Sequence, residues 1–573
     1  MTRHTRNTGR HRLIPTRLSR RSYGRFADTD YTRHSLLAAQ SIMLLQTVIF
    51  ISGAAILALE LLASRVMTPY FGVSLYIWTG ILSITLVALA AGYWFGGRYA
   101  NARHATPAAL MEVYALLPAV AAMGMVGACL MYPFVFMPLA EWSLIGGAFI
   151  ACVLLLGLPL VAASAMNPLL VALRLHQRAD GGDGGAGQVF FISTLGSVAG
   201  VLVTAFGLIP FVSNYDSILI IAAVLALLSL ALVAFPPREL RRRGIIGATG
   251  GLALIASALL LWQADAYTGR KGPISHLDKQ WHVEAELRSL FGTVKILKHE
   301  PDADGQFWRI YFQDGLTQNS VESSGRSRSF YTYALEALAM SYQPQARNAL
   351  ALGLGAGMTP ARLAARGVRT EIVEIDPASL LAARRFFGLD ETKTPVHHTD
   401  ARTFVHACPR TYELAIVDLF HGDGTPDYLI TRDFFRDLRR CIGERGIAVF
   451  NTFADLENPI SYAHLLITLR AELPHLAIYR PASIGASHTN SFIVASATPL
   501  PATTRVTMDN MPTRHETTLW DMLSAPMALT PEVFAGGKII TDAHNRAALD
   551  LAYAQQVYRQ AVVGNTPPAF LLN

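Results

Sequence analysis

The sequence predicts a multi-pass α-helical membrane bundle fused to a nucleotide-binding, Rossmann-like α/β domain. Three observations predict it. Charge almost disappears between Ser35 and Phe235 and returns after Gln263. The second half of the chain then alternates strand-like with helix-like segments. A glycine-rich turn closes one of those strands, and the next strand ends in acidic residues about 20 positions on, the spacing of a nucleoside site.

At 573 residues the chain exceeds one compact domain of roughly 100–200 residues. Hydrophobic residues make up 52% and charged residues 16%, against roughly 25% charged in an average soluble protein, and the deficit sits in the first half. The net charge of +7 is not a nucleic-acid signal. Much of the excess lies in residues 1–34, a tail with many Arg and only Asp28 and Asp30 as acids. Cys129, Cys152, Cys408 and Cys441 show no CxxC or Cys/His spacing, which predicts neither a disulfide framework nor a zinc site.

A bilayer core of about 30 Å needs roughly 20 apolar residues per helix. Runs of that kind lie near 36–62, 75–96, 108–131, 143–172, 188–210, 215–235 and 244–263. They define a transmembrane region over 35–263, after a basic and mostly disordered tail over 1–34. The tail is too long and too basic for an ordinary signal peptide. Arg98 and Arg103, Arg174 and Arg178, and Arg238 with Arg241–Arg243 occupy alternate connections. The connections around Pro133–Glu141 and Pro210–Asp216 carry no Lys or Arg. The positive-inside rule puts the basic loops on the side of the N-terminal tail. Seven true spans would then leave the C-terminal domain outside, whereas the supply of a cytoplasmic cofactor favours the inside. Gly244, Gly247, Gly250 and Gly251 in the last run leave a re-entrant segment open.

Within the first run Glu60 is followed by Arg65 and Pro69-Tyr-Phe-Gly72. An intramembrane carboxylate is costly and reads as functional; the alternative is a Glu60–Arg65 pair that locks the turn. Pro159 and Asn167-Pro168 predict a kink in the fourth run, and Gly196, Gly200 and Gly207 predict close helix contact in the fifth.

From about 276 to 573 the composition is globular. Thr293–Lys298 and Phe307–Gln313 read as an N-terminal β-hairpin. Strands at Ala349–Leu354, Thr370–Ile375, Val396–His398, Glu413–Asp418 and Gly446–Thr452 alternate with helices at Met358–Arg366, Pro377–Phe387 and Arg432–Cys441, which predicts a parallel sheet covered on both faces. Gly353-Leu-Gly355-Ala-Gly357 lets backbone approach a ligand at a helix N-terminus. Glu374-Ile-Asp376 ends the next strand, where an acid can grip ribose hydroxyls. Asp400-Ala401 and Asp418 end the following two. His397, His398 and His406 have no carboxylate or Cys cluster at ligand spacing and read as surface histidines, so no metal is predicted.

GLGAG, VEID, DAR and VDLF, preceded by Asp314-Gly-Leu-Thr-Gln318, resemble the spermidine/spermine synthase family of aminopropyltransferases, which share the class I methyltransferase-type fold. Ser289-Leu-Phe-Gly-Thr-Val294 is similar to that family's strand entry. Thr541-Asp542, the Glu60–Gly72 region and Asn167-Pro-Leu-Leu170 are similar to its membrane-fused members. The resemblance implies that Gln318 and Glu374 hold the nucleoside, Asp400 the adenine, and Asp418 the junction of cofactor and acceptor, with Tyr331 near the amine.

Two positions depart from the family. Ala356 stands where the family has an Asp that meets the amine of decarboxylated S-adenosylmethionine, and His421 stands at the family's base position, with Asp423 as a substitute. A neutral His suits a general base near neutral pH. The implied activity is transfer from decarboxylated S-adenosylmethionine, or from S-adenosylmethionine, to a putrescine-like amine or a membrane-delivered acceptor. Methyl transfer, and a transporter or sensor that binds a nucleoside without turnover, are the alternatives. A lipid bilayer is the implied partner and a homo-oligomer is possible; nucleic acid is not implied.

Overall fold

The computed structural model of the protein describes residues 27–573 except 178–182, 184, 236–239, 270–271, 421–423, 456–458, 481–487, 502–505 and 507–512. Most of the basic tail therefore lies outside the described residues. Seven described helices are long and apolar enough to cross a membrane: Met43–Phe71, Leu75–Ala100, Pro107–Trp142, Leu144–His176, Ala186–Leu208, Asn214–Ala234 and Arg243–Tyr267. The seventh run is one continuous helix of 25 residues, not a re-entrant pair of half-helices. The fourth passes through a π-helical turn at Val153–Gly157, just before Pro159, which accommodates a proline without breaking the rod.

The first and fifth of these helices pack backbone to backbone. A Cβ at Gly196 would overlap the Phe50 carbonyl and one at Gly200 the Ala54 carbonyl, so only glycine permits this approach. Gly207 meets nothing comparable; its nearest neighbour is a Val203 methyl at 4.0 Å. Glu60 and Arg65 form no ion pair among the described residues. Five positions apart on a helix they do not share a face, and the Arg65 guanidinium donates to the Leu290 carbonyl of the second half of the chain.

The predicted hairpin is the centre of a five-stranded antiparallel sheet in chain order, β1 (Ile274–His276), β2 (Lys279–Ser289), β3 (Gly292–His299), β4 (Trp308–Gln313) and β5 (Leu316–Glu322). Its outer strands escape sequence reading because β2 carries Glu284, Glu286 and Arg288, each in an ion pair or hydrogen bond that tolerates partial burial.

A seven-stranded sheet follows: β6 (Asn348–Leu352), β7 (Arg369–Glu374), β8 (Val396–His398), β9 (Leu414–Val417), β10 (Ile447–Asp455), β11 (His475–Tyr479) and β12 (His488–Ser496). Its order is β11-β12-β10-β9-β6-β7-β8, with β12 antiparallel to both neighbours. This is the strand order of the class I methyltransferase-type fold. The chain reverses its winding between β6 and β9, and ligands bind at such switch points, outside the carboxyl ends of the strands.

The two halves are in direct contact. Asn573 Nδ2 donates to the Arg65 carbonyl at 3.3 Å, and the Asn573 carbonyl accepts from the Tyr215 N–H at 3.1 Å. Gln560 Nε2 donates to the Glu141 carbonyl at 2.8 Å.

One expectation is overturned outright. Cys408 and Cys441 are disulfide-bonded, with Cα atoms 5.6 Å apart, a separation within the normal range for a bridge. They lie 33 residues apart, just past helix Ala401–His406 and near the end of helix Arg432–Ile442. These helices pack side by side, a proximity that spacing along the chain does not encode. Cys129 and Cys152 are buried free thiols.

Candidate functional site

A pocket of about 380 Å³ opens at the switch point, a size suited to a small-molecule ligand. Gly353 forms its floor. With φ at +94°, and with a Cβ that would overlap the Asp418 carbonyl, this position requires glycine. Gly355 lines the pocket as well. Gly357 does not; it sits at φ +75° as the cap of helix Met358–Ala365.

Glu374 closes β7 with both carboxylate oxygens engaged. Oε1 accepts the Asp376 N–H at 2.7 Å and Oε2 the Leu354 N–H at 3.0 Å. Burial pushes its pKa up to about 7, with these backbone donors pulling the other way. Asp376 and Asp400 also line the pocket, but each caps a helix. Asp376 Oδ1 accepts the Ala378 N–H at 2.8 Å, and Asp400 Oδ1 accepts the Thr403 N–H at 2.9 Å. The Tyr428 hydroxyl donates to Asp400 Oδ2 at 3.1 Å. Ala401 opens the capped helix and touches the pocket.

Asp418 sits just past β9. Its Oδ1 accepts from Asn451 Nδ2 at 2.9 Å, and Asn451 Oδ1 in turn accepts from Asn490 Nδ2 at 2.9 Å. Burial pushes Asp418 up to about 6, against the lowering effect of the Asn451 amide. Tyr331 shares the pocket; burial first, and the Asp418 charge second, hold its hydroxyl above the ordinary range. That hydroxyl accepts from Asn319 Nδ2 at 3.0 Å. Gln318 lines the wall from β5, and Phe291 does so from the β2–β3 turn.

The structure thus gathers Gln318, Tyr331, Gly353, Gly355, Glu374, Asp376, Asp400, Ala401 and Asp418 around one cavity. His421 and Asp423 lie outside the described residues. Ala356 does not face the cavity. It is 2% exposed and packs in an apolar cluster with Val294, Ile296, Tyr311 and Met358, so in this chain the position does not look onto a ligand. His397 pairs with Glu371 at 2.9 Å and His406 with Asp437 at 2.7 Å. Among the described residues no three His, Cys, Asp or Glu side chains converge as a metal site would.

Asn451, Asn490, Phe420, Phe453 and Tyr558 complete the walls and were not singled out from the sequence. Asn451 carries a usable signal, a lone amide directly after the apolar run Ile447–Phe450 within β10. Asn490 and Tyr558 carried none, because β12 and helix Ala547–Val563 bring them in from distant parts of the chain.

Residues 328–482 match the model of the spermine/spermidine synthase domain. An N-terminal histidine N-methyltransferase of Emericella nidulans is 34% identical over 154 residues, which are 26% of this chain and 27% of that protein. A polyamine aminopropyltransferase of Vibrio vulnificus is 29% identical over 178 residues, 30% of this chain and 58% of that one. The match thus spans well under two thirds of either relative. The spermidine synthase of Thermotoga maritima aligns over 52% of this chain and 97% of its own at 14% identity, with a TM-score of 0.31. A spermine/spermidine synthase domain thus lies within the C-terminal region of this chain, over residues 328–482.

Proposed function

We propose that the protein is a membrane-embedded transferase that moves an aminopropyl group from decarboxylated S-adenosylmethionine to an amine. The observation that carries this reading is the placement of Asp418, a buried carboxylate poised near pH 6, at the switch point between the Glu374 end of the pocket and the aromatic end. The residues fit a sulfonium nucleoside. Glu374 is fixed by two backbone donors and keeps lone pairs for two ribose hydroxyls, Gly353 and Gly355 admit close backbone approach, and Asp400 with Tyr428 frames an amino-bearing ring.

When bound, the cofactor supplies an electrophilic carbon beside a positive sulfur, where the amine nitrogen forms its bond as the carbon–sulfur bond breaks. The chain's own task is to bind, align and take a proton. Asp418 accepts the proton that the acceptor's ammonium gives up, and the free amine so formed is the nucleophile. Asn451 and Asn490 hold that carboxylate in one orientation, and the Tyr331 hydroxyl lies within reach of its charge. The seven apolar helices would hold the site at a bilayer surface.

Methyl transfer from S-adenosylmethionine is a second reading, favoured by the 34% identity over 154 residues to an N-terminal histidine N-methyltransferase. Incubating the purified full-length protein with each cofactor and an amine tests both. Methylthioadenosine as product supports aminopropyl transfer, S-adenosylhomocysteine supports methyl transfer, and neither product with either cofactor refutes an enzymatic role.

A further inference from the structure

The C-terminal domain docks on the bundle through contacts at three helix ends. Arg559 Nη1 donates to the Pro69 carbonyl at 3.2 Å, near the close of the first apolar helix, and Gln560 Nε2 to the Glu141 carbonyl at 2.8 Å, near the close of the third. The Asn573 carbonyl accepts the Tyr215 N–H at 3.1 Å, at the start of the sixth. Where successive helices alternate in direction, the closing ends of the odd ones and the starting ends of the even ones share one side. The dock is apolar as well as polar. Phe312, Phe570 and Leu571 belong to the same buried cluster as Tyr70, Phe71 and Phe136 of the bundle, which fixes the domain on that side.

That side is also the poorer in positive charge. Its connections at 72–74, 143 and 209–213 hold no Lys or Arg, whereas Arg98, Arg103, Arg174 and Arg241–Arg243 lie at the opposite ends of the helices. Lys and Arg close to the ends of spans mark the cytoplasmic side. Against them stand Arg65 near the end of the first helix and Arg270, Lys271 and Lys279 after the seventh. The last three head a long domain, of the kind that crosses largely regardless of charge.

An even number of crossings would reverse the assignment, and the seventh helix decides the parity. Arg243–Tyr267 is continuous over 25 residues. At 1.5 Å per residue that is about 37 Å, more than the roughly 30 Å of a bilayer core. The Cys408–Cys441 bridge is an independent sign, because disulfides persist in oxidising compartments and are rare in the cytoplasm.

We infer that the C-terminal domain, and with it the pocket at the switch point, lies on the extracytoplasmic face of the membrane. Docking side, charge, parity and the disulfide agree on that face, and none of them depends on which reaction the pocket carries out.

Single cysteine substitutions in the full-length protein provide the test. Ser524 and Ala543 are exposed on the C-terminal domain, and His104 is exposed in a connection on the opposite side. With Cys408 and Cys441 bridged and Cys129 and Cys152 buried, the introduced cysteine is the reactive thiol. A membrane-impermeant maleimide is applied to intact spheroplasts and, in parallel, after detergent lysis. Ser524→Cys labels as fully in intact spheroplasts as after lysis, whereas His104→Cys labels only after lysis. Ala543→Cys repeats the first result if Ser524→Cys does not accumulate. Labelling of Ser524→Cys or Ala543→Cys only after lysis overturns the inference, and so does full labelling of His104→Cys before it.

Discussion

Arg559 donates from Nη1 to the Asp314 carbonyl at 2.7 Å and to the Pro69 carbonyl at 3.2 Å, so one buried guanidinium joins the first apolar helix to the turn between β4 and β5. The turn is pinned from its other side too, where Asp314 Oδ1 accepts the Thr293 N–H at 2.9 Å. Leu316, Thr317 and Gln318, which line the pocket, follow immediately. The first apolar helix therefore bears on the site through this turn, and also through the β2–β3 turn, where Arg65 donates to the Leu290 carbonyl beside the pocket-lining Phe291.

Replacing Arg559 with Met leaves two carbonyls without their donor. Hydrogen bonds to charged groups contribute roughly 1.5–3 kcal/mol, so thermal unfolding of the detergent-solubilised protein should fall by several degrees. KM for the nucleoside cofactor should rise more than kcat falls, because Gln318 is loosened and Asp418 is not. Arg559→Lys should recover part of both effects.

Glu374→Ala should weaken binding of S-adenosylmethionine and its decarboxylated form by about 1.5–3 kcal/mol, the range for one charged hydrogen bond, or one to two decades in Kd. Isothermal calorimetry reads this directly. Unchanged affinity would remove Glu374 from the nucleoside site.

Asp418 acts as a base only when ionised, and its pKa lies at about 6. The kcat/KM profile should therefore rise with pH through about 6 and then level, until another group titrates. Asn451→Leu removes the hydrogen bond that lowers this pKa, so the rise should move to higher pH. Asp418→Asn should abolish the rise and most of the turnover.

Ala356→Asp is a stability test rather than a specificity switch. The new carboxylate would lie among Val294, Ile296 and Met358, where an unpaired charge is costly. The expected result is a lower denaturation midpoint with no gain in preference for decarboxylated S-adenosylmethionine. A clear gain would show that residue 356 does reach the ligand.

The parallel strands and the seven apolar helices were legible because each rests on a local pattern: period-two or continuous apolar runs, and lengths set by a bilayer. The same holds for Glu374, Asp400 and Asp418, which fall at strand ends where a doubly wound sheet places its ligands. What stayed hidden depends on contacts between distant segments. Tyr558 and Arg559 are consecutive, yet one lines the pocket and the other clamps Pro69; nothing in Gln555–Gln560 marks that division. Nearness in sequence pairs Arg65 with Glu60, whereas its partner lies 225 residues away. The motif position of Ala356 points to the ligand, whereas the packing of β3 and β4 over it makes that position core.

The burial of Glu374 also sets a proton inventory for ligand capture. With its pKa raised by burial to about 7, part of the free protein carries a proton there at neutral pH. Ribose hydroxyls donating to the carboxylate, and a sulfonium charge nearby, favour the ionised form. Binding near pH 7 should thus expel a fraction of a proton. Apparent affinity would climb as the pH passes through 7 and then flatten. The heat of binding would change with the ionisation enthalpy of the buffer, so that one ligand yields different calorimetric enthalpies in phosphate and in Tris.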